Sequence, residues 1–273
     1  MKNFHQPIKT ETFKFITIHY PPQLESVKWM VKEHYDIPEY ADTLFLINTT
    51  ETKMYDGEFH HIDTSIYTQH RKIYYNFEHT ADFLEATYSV LQFHFEKVGV
   101  TEIWSFEPNE TLNAVYMPVR YTTFLGKVPQ KSNKKFDLGF VGIVGSNDYS
   151  RKRNDFLHDF IVTPKYDFSI NIMNGYQTLD LKDELANCRF VLDSKRDYHI
   201  KTQNQVRLFE HICMGQTVLS EKSDYNAFPG LIYEWETIDE LNELIHTVEP
   251  QDFSEKYKEM TYTDEAYEKY KGS

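Results

Sequence analysis

The helix that the sequence predicts near residue 210 carries a cation and a carboxylate on one face. Arg207 and Glu210 are three residues apart, and side chains with that spacing share a helix face. Gly215 ends the predicted helix, and a short β-prone segment follows it. A cation and a carboxylate at such a turn can bind the phosphates and the ribose of a nucleotide. A solvated ion pair, worth roughly 0.3–0.5 kcal/mol, fits the same two residues.

A glycine-rich segment in residues 139–153 joins a predicted strand to a predicted helix. Gly145 and Ser146 lie in the connection, and Arg151 and Arg153 lie at the start of the helix. A helix N-terminus presents unpaired N–H groups and a partial positive charge, so two arginines there would suit a diphosphate. The glycine spacing matches neither the dinucleotide fingerprint nor a Walker loop. A polar turn with basic surface residues remains the alternative interpretation.

Residues 76–82 follow another predicted strand and contain three candidate general bases. Glu78, His79 and Asp82 can each accept a proton, and loops at strand ends are where such chemistry is found in α/β proteins. Thr80 as the N-cap of a helix, with Asp82 in its first turn, is a complete structural explanation of those two residues. Glu78 and His79 therefore remain the candidate bases.

Alternating strand-like and helical segments must position these residues. The predicted strands are 13–18, 43–47, 72–77, 102–105, 114–117, 136–142, 168–172, 189–193 and 217–220, and the predicted helices are 24–34, 80–97, 151–161, 179–187, 203–214, 237–247 and 253–270. This alternation predicts an α/β fold with parallel sheets that helices cover on both faces.

A polar segment at 126–135 is the best candidate for a linker. It separates a Rossmann-like N-terminal domain (1–125) from a Rossmann-like C-terminal domain (126–252). Residues 253–273 form a last helix that crosses back to the first domain or packs only on the second. Two such domains facing across a cleft would place the ligand at the carboxyl ends of their strands.

Charge is distributed unevenly along the 273 residues, whose formal net charge is −13. Residues 1–125 carry 10 Lys/Arg against 17 Asp/Glu, residues 126–218 carry 14 against 11, and residues 219–273 carry 5 against 14. The total disfavours general binding to nucleic acid or to an anionic membrane. The basic central region instead favours a local anion site.

Cysteine and histidine usage indicates neither a disulfide framework nor a metal centre. Cys188 and Cys213 lie in apolar periodic segments, which predicts buried free thiols. His60 and His61 lie among polar turn residues without metal-ligand spacing. No apolar run approaches the roughly 20 residues that span a bilayer, and residues 1–7 lead into no signal-peptide core. The sequence therefore predicts a cytoplasmic protein without a membrane span.

Taken together, these motifs resemble GT-B fold glycosyltransferases, and their nucleotide-sugar domain in particular. Residues 72–79 resemble the strand and loop that present the catalytic aspartate in the DNA β-glucosyltransferases of T-even phages. Residues 137–157 resemble the phosphate loop of that family, with its two arginines, and residues 206–210 resemble its ribose-binding helix. The matches are short and scattered over most of the chain.

Small bacterial glycosyltransferases of the spore-maturation and surface-polysaccharide type are a second resemblance. It rests on residues 75–79, on residues 103–105 with Asn109, and on residues 117–119. The helix at 206–210 is shared with this group as well.

The resemblance implies a metal-independent transferase that needs no cofactor and uses a nucleotide diphosphate sugar, with UDP as the expected nucleotide. Arg151 and Arg153 would neutralise the diphosphate, Arg207 would assist them, and Glu210 would bind the ribose hydroxyls. His79 stands where the phage family has its catalytic aspartate, with Glu78 just before it. We favour Glu78 as the base, in an inverting reaction.

A hydroxymethylated base in double-stranded phage DNA is the first acceptor that the resemblance implies, in the host cytoplasm. The acidic first domain argues against it, although basic residues in the central region could contact a duplex. Those residues are Lys127, Lys131, Lys134, Lys135, Lys195, Arg196 and Lys201. A surface glycan or a protein is the alternative acceptor. A non-catalytic nucleotide-sugar-binding protein and a sugar-phosphate epimerase are alternatives to a transferase, and the sequence does not indicate an oligomeric state.

Overall fold

The chain forms two compact units, Met1–Val119 and Arg120–Ser273. The computed structural model describes residues 8–48, 52–55, 58–61, 67–77, 85–107, 112–142, 144, 151–162, 166–173, 178–195, 200 and 202–260. Each unit has its own predominantly parallel sheet, so the predicted α/β class is confirmed. The domain boundaries at 125/126 and 252/253 stay a prediction.

The sheet of unit 1 has six strands in the order β1-β2-β3-β6-β7-β8. Strand β1 runs antiparallel to β2, and the other neighbours are parallel. Two helices and a separate hairpin, β4 with β5, complete the described part of the unit. The strands are Lys9–Thr12, Ile16–Tyr20, Thr43–Ile47, Thr52–Tyr55, Glu58–His61, Arg71–Asn76, Glu102–Ser105 and Val115–Tyr116 (β1–β8), and the helices are Glu25–Tyr35 (α1) and Glu85–Val98 (α2).

Both faces of this sheet are apolar because alternate residues of its buried strands point to opposite sides. On one face, Leu44 and Tyr74 pack with Leu91 of α2. On the other, Tyr35 of α1 lies with its ring centroid 5.1 Å from that of Trp104. The carboxyl ends of β3, β6 and β7 therefore emerge from a layer with a helix packed on each face.

The sheet of unit 2 is entirely parallel, in the order β10-β9-β11-β12-β13. Its strands are Phe136–Val141, Ile170–Met173, Cys188–Asp193, Val218–Glu221 and Tyr233–Trp235 (β9–β13). Its helices are Arg151–Val162, Lys182–Leu185, Gln205–Cys213, Ile238–Thr247 and Ser254–Glu259 (α3–α7). The aliphatic and aromatic side chains of β9, β11, β12 and β13 form one core with α3 and α6.

The order of the strands creates a switch point between β9 and β11. From β9 the chain crosses to β10 on one side, and it then returns past β9 to reach β11 on the other. In an open parallel sheet, ligands bind outside the carboxyl ends of the strands where the winding reverses. The topology therefore predicts a binding site at the residues that follow Val141 and Asp193.

Several elements differ from the sequence-based expectation. The short strands β1 and β13 and the β4–β5 hairpin were not predicted, and His60 and His61 lie in strand β5 rather than in a polar turn. The predicted helix at 179–187 is a 3-10 turn followed by the single turn of α4. Of the helix predicted at 253–270, Ser254–Glu259 is helical and Met260 is extended, so the described helix ends there; residues 261–270 lie outside the described residues.

The segment predicted as a linker, 126–135, packs on unit 2. Val128 is buried, and its N–H donates to the carbonyl oxygen of Met214 at 3.0 Å. The ammonium of Lys127 lies 2.8 Å from the Asp252 carboxylate. Both cysteines are buried free thiols, as predicted. Among the described residues, no helix is long and apolar enough to cross a membrane.

Candidate functional site

Arg207 lies at the carboxyl edge of the second sheet and is held there by the last residue of β11. Its Nη1 donates to Asp193 Oδ1 at 3.0 Å, and the Ser220 hydroxyl donates to the other carboxylate oxygen at 3.3 Å. Asp193 is almost completely buried, whereas 15% of the Arg207 side chain is exposed. Asn204 caps α5 by accepting the Arg207 N–H. The guanidinium is thus fixed at the rim of the sheet.

Arg153 reaches the same edge from the opposite face of the sheet. Its Nη2 donates to the carbonyl oxygen of Ser194 at 3.2 Å, directly after the residue that binds Arg207. Arg153 is the third residue of α3, as Arg207 is the third residue of α5. The two helices flank the switch point, so two arginines occupy equivalent positions at two helix N-termini.

The ring of Phe140 lies between the two arginines. Its centroid is 5.4 Å from Cζ of Arg153 and 6.0 Å from Cζ of Arg207. Gly142 follows β9, and a Cβ there would lie 3.5 Å from Arg207 Nη2 and 3.1 Å from the Phe140 ring. A side chain at this position would be in tight contact with the Phe140 ring and in ordinary contact with the guanidinium.

Two lysines extend the positive charge along the same edge. Lys152 of α3 forms an ion pair with Glu221, the last residue of β12. The Lys195 N–H donates to the other oxygen of Glu221 at 2.9 Å. Burial lowers the pKa of the Lys195 ammonium, and this outweighs the attraction of Glu221. The edge therefore concentrates four basic residues. Lys152 and Arg153 come from α3, Arg207 comes from α5, and Lys195 follows β11.

Glu210 lies one turn after Arg207 on α5 and is 8% exposed. Its neighbour His211 is fully buried, and burial, aided by the charge of Arg207, lowers the pKa of that imidazole to about 3. The His211 imidazole is therefore neutral near pH 7 and adds no second positive charge beside Arg207. A carboxylate in the position of Glu210 can accept hydrogen bonds from hydroxyl groups.

Three of the eight predicted site residues have described side chains: Arg153, Arg207 and Glu210. Arg153 and Arg207 reach the same end of unit 2, and Glu210 follows Arg207 by three residues on α5. The backbone of Arg151 begins α3, and its side chain lies outside what the structure describes. The same applies to Gly145, Ser146, Glu78 and His79 as whole residues. The assignment of these residues to the site stays a prediction.

Unit 1 contains a buried polar cluster that the sequence did not reveal. Asn76 Nδ2 donates to Ser105 Oγ at 3.3 Å across the carboxyl ends of β6 and β7. The N–H of Glu107 donates to the same hydroxyl at 3.4 Å, and the Glu107 side chain is buried. Glu78 follows Asn76 by two residues in the sequence. Glu78 itself lies outside the described residues.

The carboxylate partners of Arg207 and Lys152 were also missed from the sequence. Asp193 precedes Arg207 by 14 residues and Glu221 follows Lys152 by 69, so no local spacing indicates either pair. The signal that could have found them is positional, because each carboxylate is the last residue of a parallel strand. An edge with two paired arginines, two lysines and two helix N-termini can bind a compact polyanion such as a diphosphate.

Comparisons with known proteins give structural similarity only. No protein-family model matches the sequence, and no curated protein matches it either. One similar solved structure is the lipopolysaccharide outer core galactosyltransferase WaaB in its apo form. Its TM-score is 0.41 at 12% identity, over 92% of this chain and 78% of that chain.

A second similar structure is the glycosylation associate protein (Gap123) complex from Streptococcus agalactiae. The TM-score is 0.39 at 14% identity, over 83% of this chain and 52% of that chain. This chain thus spans about half the length of the second structure.

Proposed function

We propose that the protein is a GT-B type glycosyltransferase that uses a nucleotide diphosphate sugar, with a UDP-sugar as donor. One observation carries the proposal: Arg153 and Arg207 occupy equivalent positions at the two helix N-termini of the switch point. Arg207 is held by Asp193, the last residue of β11, and Arg153 by the carbonyl oxygen of Ser194, which follows it. A diphosphate placed there would face two guanidinium groups and the N–H groups of two helices.

Charge development explains why a transferase would need such an edge. As the acceptor oxygen forms its bond to the anomeric carbon, the bond to the diphosphate breaks and its electron pair leaves with the phosphate. Fixed cations stabilise that developing charge more in the transition state than in the bound donor. Arg153 and Arg207 would supply this stabilisation, together with Arg151, so the proposed reaction needs no metal.

The acceptor proton needs a base on the opposite side of the sugar. Glu78, or else His79, would take the proton of the acceptor hydroxyl as its oxygen attacks. Attack opposite the departing diphosphate inverts the anomeric centre. Glu210 would accept hydrogen bonds from the ribose hydroxyls. These bonds would orient the nucleotide so that its diphosphate lies at the arginines.

The charge around the first sheet favours a glycan or protein hydroxyl over DNA as the acceptor. The connections that leave the carboxyl ends of β2, β3, β6 and β7 comprise residues 21–24, 48–70, 77–84 and 106–114. They contain one lysine and eight Asp or Glu residues. Binding of duplex DNA is dominated by Lys and Arg contacts to phosphates. An uncharged acceptor avoids repulsion at this edge.

Three of the seven basic residues expected to contact a duplex bind unit 2 itself. Lys127 pairs with Asp252, Lys131 Nζ donates to Asn187 Oδ1 at 3.1 Å, and Lys134 Nζ donates to the carbonyl oxygen of Ala186 at 3.0 Å. DNA as the acceptor stays a prediction with an easy test. Retention on hydroxymethylated duplex DNA that weakens steeply with salt would favour it, and no retention at low salt would favour the glycan or protein.

Release of nucleoside diphosphate from UDP-hexoses tests the proposed reaction. We expect the Arg151→Ala variant to lower kcat and the Glu210→Ala variant to raise KM for the donor. Wild-type rates in both variants would refute the site assignment. Binding of UDP-sugar without any release would instead identify a non-catalytic binding protein, and interconversion of donor epimers without an acceptor would identify an epimerase.

A further inference from the structure

Two carboxylates lie within the basic edge of unit 2, where a site for anions would be expected to exclude them. Asp193 is the last residue of β11, and Glu221 is the last residue of β12. Each binds a cation from a helix: Asp193 binds Arg207 of α5, and Glu221 binds Lys152 of α3. The arrangement repeats on neighbouring strands, so one common physical role can explain both pairs.

The two pairs lie on opposite faces of the sheet. Asp193 is in register with Ser220, and the two are joined by a hydrogen bond on the α5 side. Glu221 follows Ser220, so its side chain points to the side of α3. The side chains of Asp193 and Glu221 are 4% and 14% exposed. Both carboxylates are therefore poorly hydrated, and their negative charge is felt strongly by any anion nearby.

We propose that Asp193 and Glu221 are internal counter-ions that compete with the bound diphosphate for Arg207 and Lys152. Without a bound anion they orient the two cations and partly balance their positive charge. In the occupied site they oppose the product nucleoside diphosphate and so favour its release. This inference rests on the proposed function for the identity of the anion, and on the two ion pairs for the competition.

A carboxylate that only supported the structure would behave differently on neutralisation. Losing it would disturb the cation and weaken anion binding. A competing counter-ion has the opposite signature, because its amide replacement keeps an oxygen that accepts a hydrogen bond from the cation and removes one negative charge nearby. At about 6 Å and the effective dielectric constant of a protein surface, that charge is worth roughly a tenfold or larger change in affinity.

Calorimetric titration with inorganic pyrophosphate and with UDP tests the competition. We expect Asp193→Asn and Glu221→Gln each to lower Kd for both ligands about tenfold. The matched controls are Asp137→Asn, which neutralises an arginine-paired carboxylate at the amino edge of the same sheet, and Glu236→Gln, which neutralises an exposed partner of Lys222. The controls should leave both Kd values unchanged.

Unchanged or weaker binding in the folded Asp193→Asn and Glu221→Gln variants would overturn the proposal. If Asp193→Asn does not fold, the more exposed Glu221→Gln decides alone. If the wild type binds too weakly to measure, measurable binding by the variants supports competition, and no binding by any of them refutes it. These titrations need no turnover. Tighter binding by the variants of a protein that transfers no sugar would refute the proposed function and still support the counter-ion proposal.

Turnover gives a second readout that a structural role would not produce. In a site limited by product release, tighter binding of UDP slows kcat while the donor KM falls. We expect Glu221→Gln to show both changes, with a UDP inhibition constant that falls by the same factor as its Kd. A lower kcat with a raised donor KM would contradict the proposal that Glu221 competes with the diphosphate for Lys152.

Discussion

The two edges of the second sheet each contain an Arg–Asp pair that involves β11, yet only one edge is built like a binding site. At the carboxyl edge Arg207 binds Asp193 at 3.0 Å, and at the amino edge Arg189 binds Asp137 at 3.2 Å. The side chains of the second pair are 27–32% exposed. The chemistry of the pairs is the same, so their surroundings must account for any difference in function.

Those surroundings differ in what else the charges meet. Asp137 also accepts hydrogen bonds from the N–H and the hydroxyl of Ser169, so it ties β9 to the start of β10. Arg207 instead has Arg153 across the Phe140 ring and the helix N-termini of α3 and α5 beside it. The comparison teaches that an ion pair indicates a binding site only where the topology gathers further cations and helix N-termini around it.

Arginine removal should separate the two edges most strongly. We expect Arg207→Ala to lower kcat/KM for donor turnover about a thousandfold, the effect of losing one charged donor to the transition state. Arg189→Ala should change it less than about twofold, because surface pairs contribute little. Steady-state release of nucleoside diphosphate measures both. Equal losses at the two edges would remove the distinction between them.

Aspartate removal should separate them in stability. Asp193→Asn leaves Arg207 without its buried carboxylate, and breaking a buried pair costs about 3 kcal/mol of unfolding free energy. Asp137→Asn should cost about 1 kcal/mol, since its pair is partly hydrated. Urea denaturation of both variants gives the comparison. A larger loss for Asp137→Asn would mean that the amino edge holds the sheet together more firmly.

Acid should act on the carboxyl edge first, through His211. Its folded-state pKa of about 3 lies below the value of about 6.5 in an unfolded chain. The unfolded state therefore binds more protons between these values. The free energy of unfolding decreases as the pH is lowered, by up to about 1.4 kcal/mol per pH unit. His211→Leu should flatten this dependence between pH 6 and pH 4. A variant that kept the wild-type slope would show that another group titrates there.

The amino edge should respond only at lower pH, and weakly. Burial raises the pKa of the Asp137 carboxyl, but hydrogen bonds from Ser169 and Arg189 outweigh it and bring the pKa below its ordinary value. Asp137 therefore stabilises the fold above about pH 4 and loses this effect as the pH falls through its folded-state pKa. The stability difference between wild type and Asp137→Asn should shrink below pH 4. A difference in unfolding free energy that stayed constant below pH 4 would show that ionisation of Asp137 does not contribute to stability.

Much of the fold followed from periodicity in the sequence. Strand β3 has the predicted bounds, and the helix predicted at 237–247 has a capping box between Thr237 and Glu240. Local signals of this kind are complete within a few residues. Strands β1 and β13 escaped prediction because short edge strands depend on pairing with a neighbour more than on their own composition.

The candidate site was predictable only in its local parts. Arg153 and Arg207 were found because each lies at the start of a helix in the most basic region of the chain. Asp193 and Glu221 were not found, because they lie 14 and 69 residues from their partners, beyond the reach of any local spacing. Only the order of the strands brings these groups together, and a single sequence does not encode that order in any local pattern.

Titration with UDP tests most directly the central claim that the carboxyl edge of unit 2 binds a diphosphate. Arg153→Gln combined with Arg207→Gln should weaken UDP binding at least about a hundredfold, which is roughly 2.7 kcal/mol. Arg189→Gln should bind UDP as the wild type does, and uridine, which lacks the phosphates, should bind all three proteins equally. Wild-type affinity in the double variant, or an equal loss in Arg189→Gln, would contradict the claim.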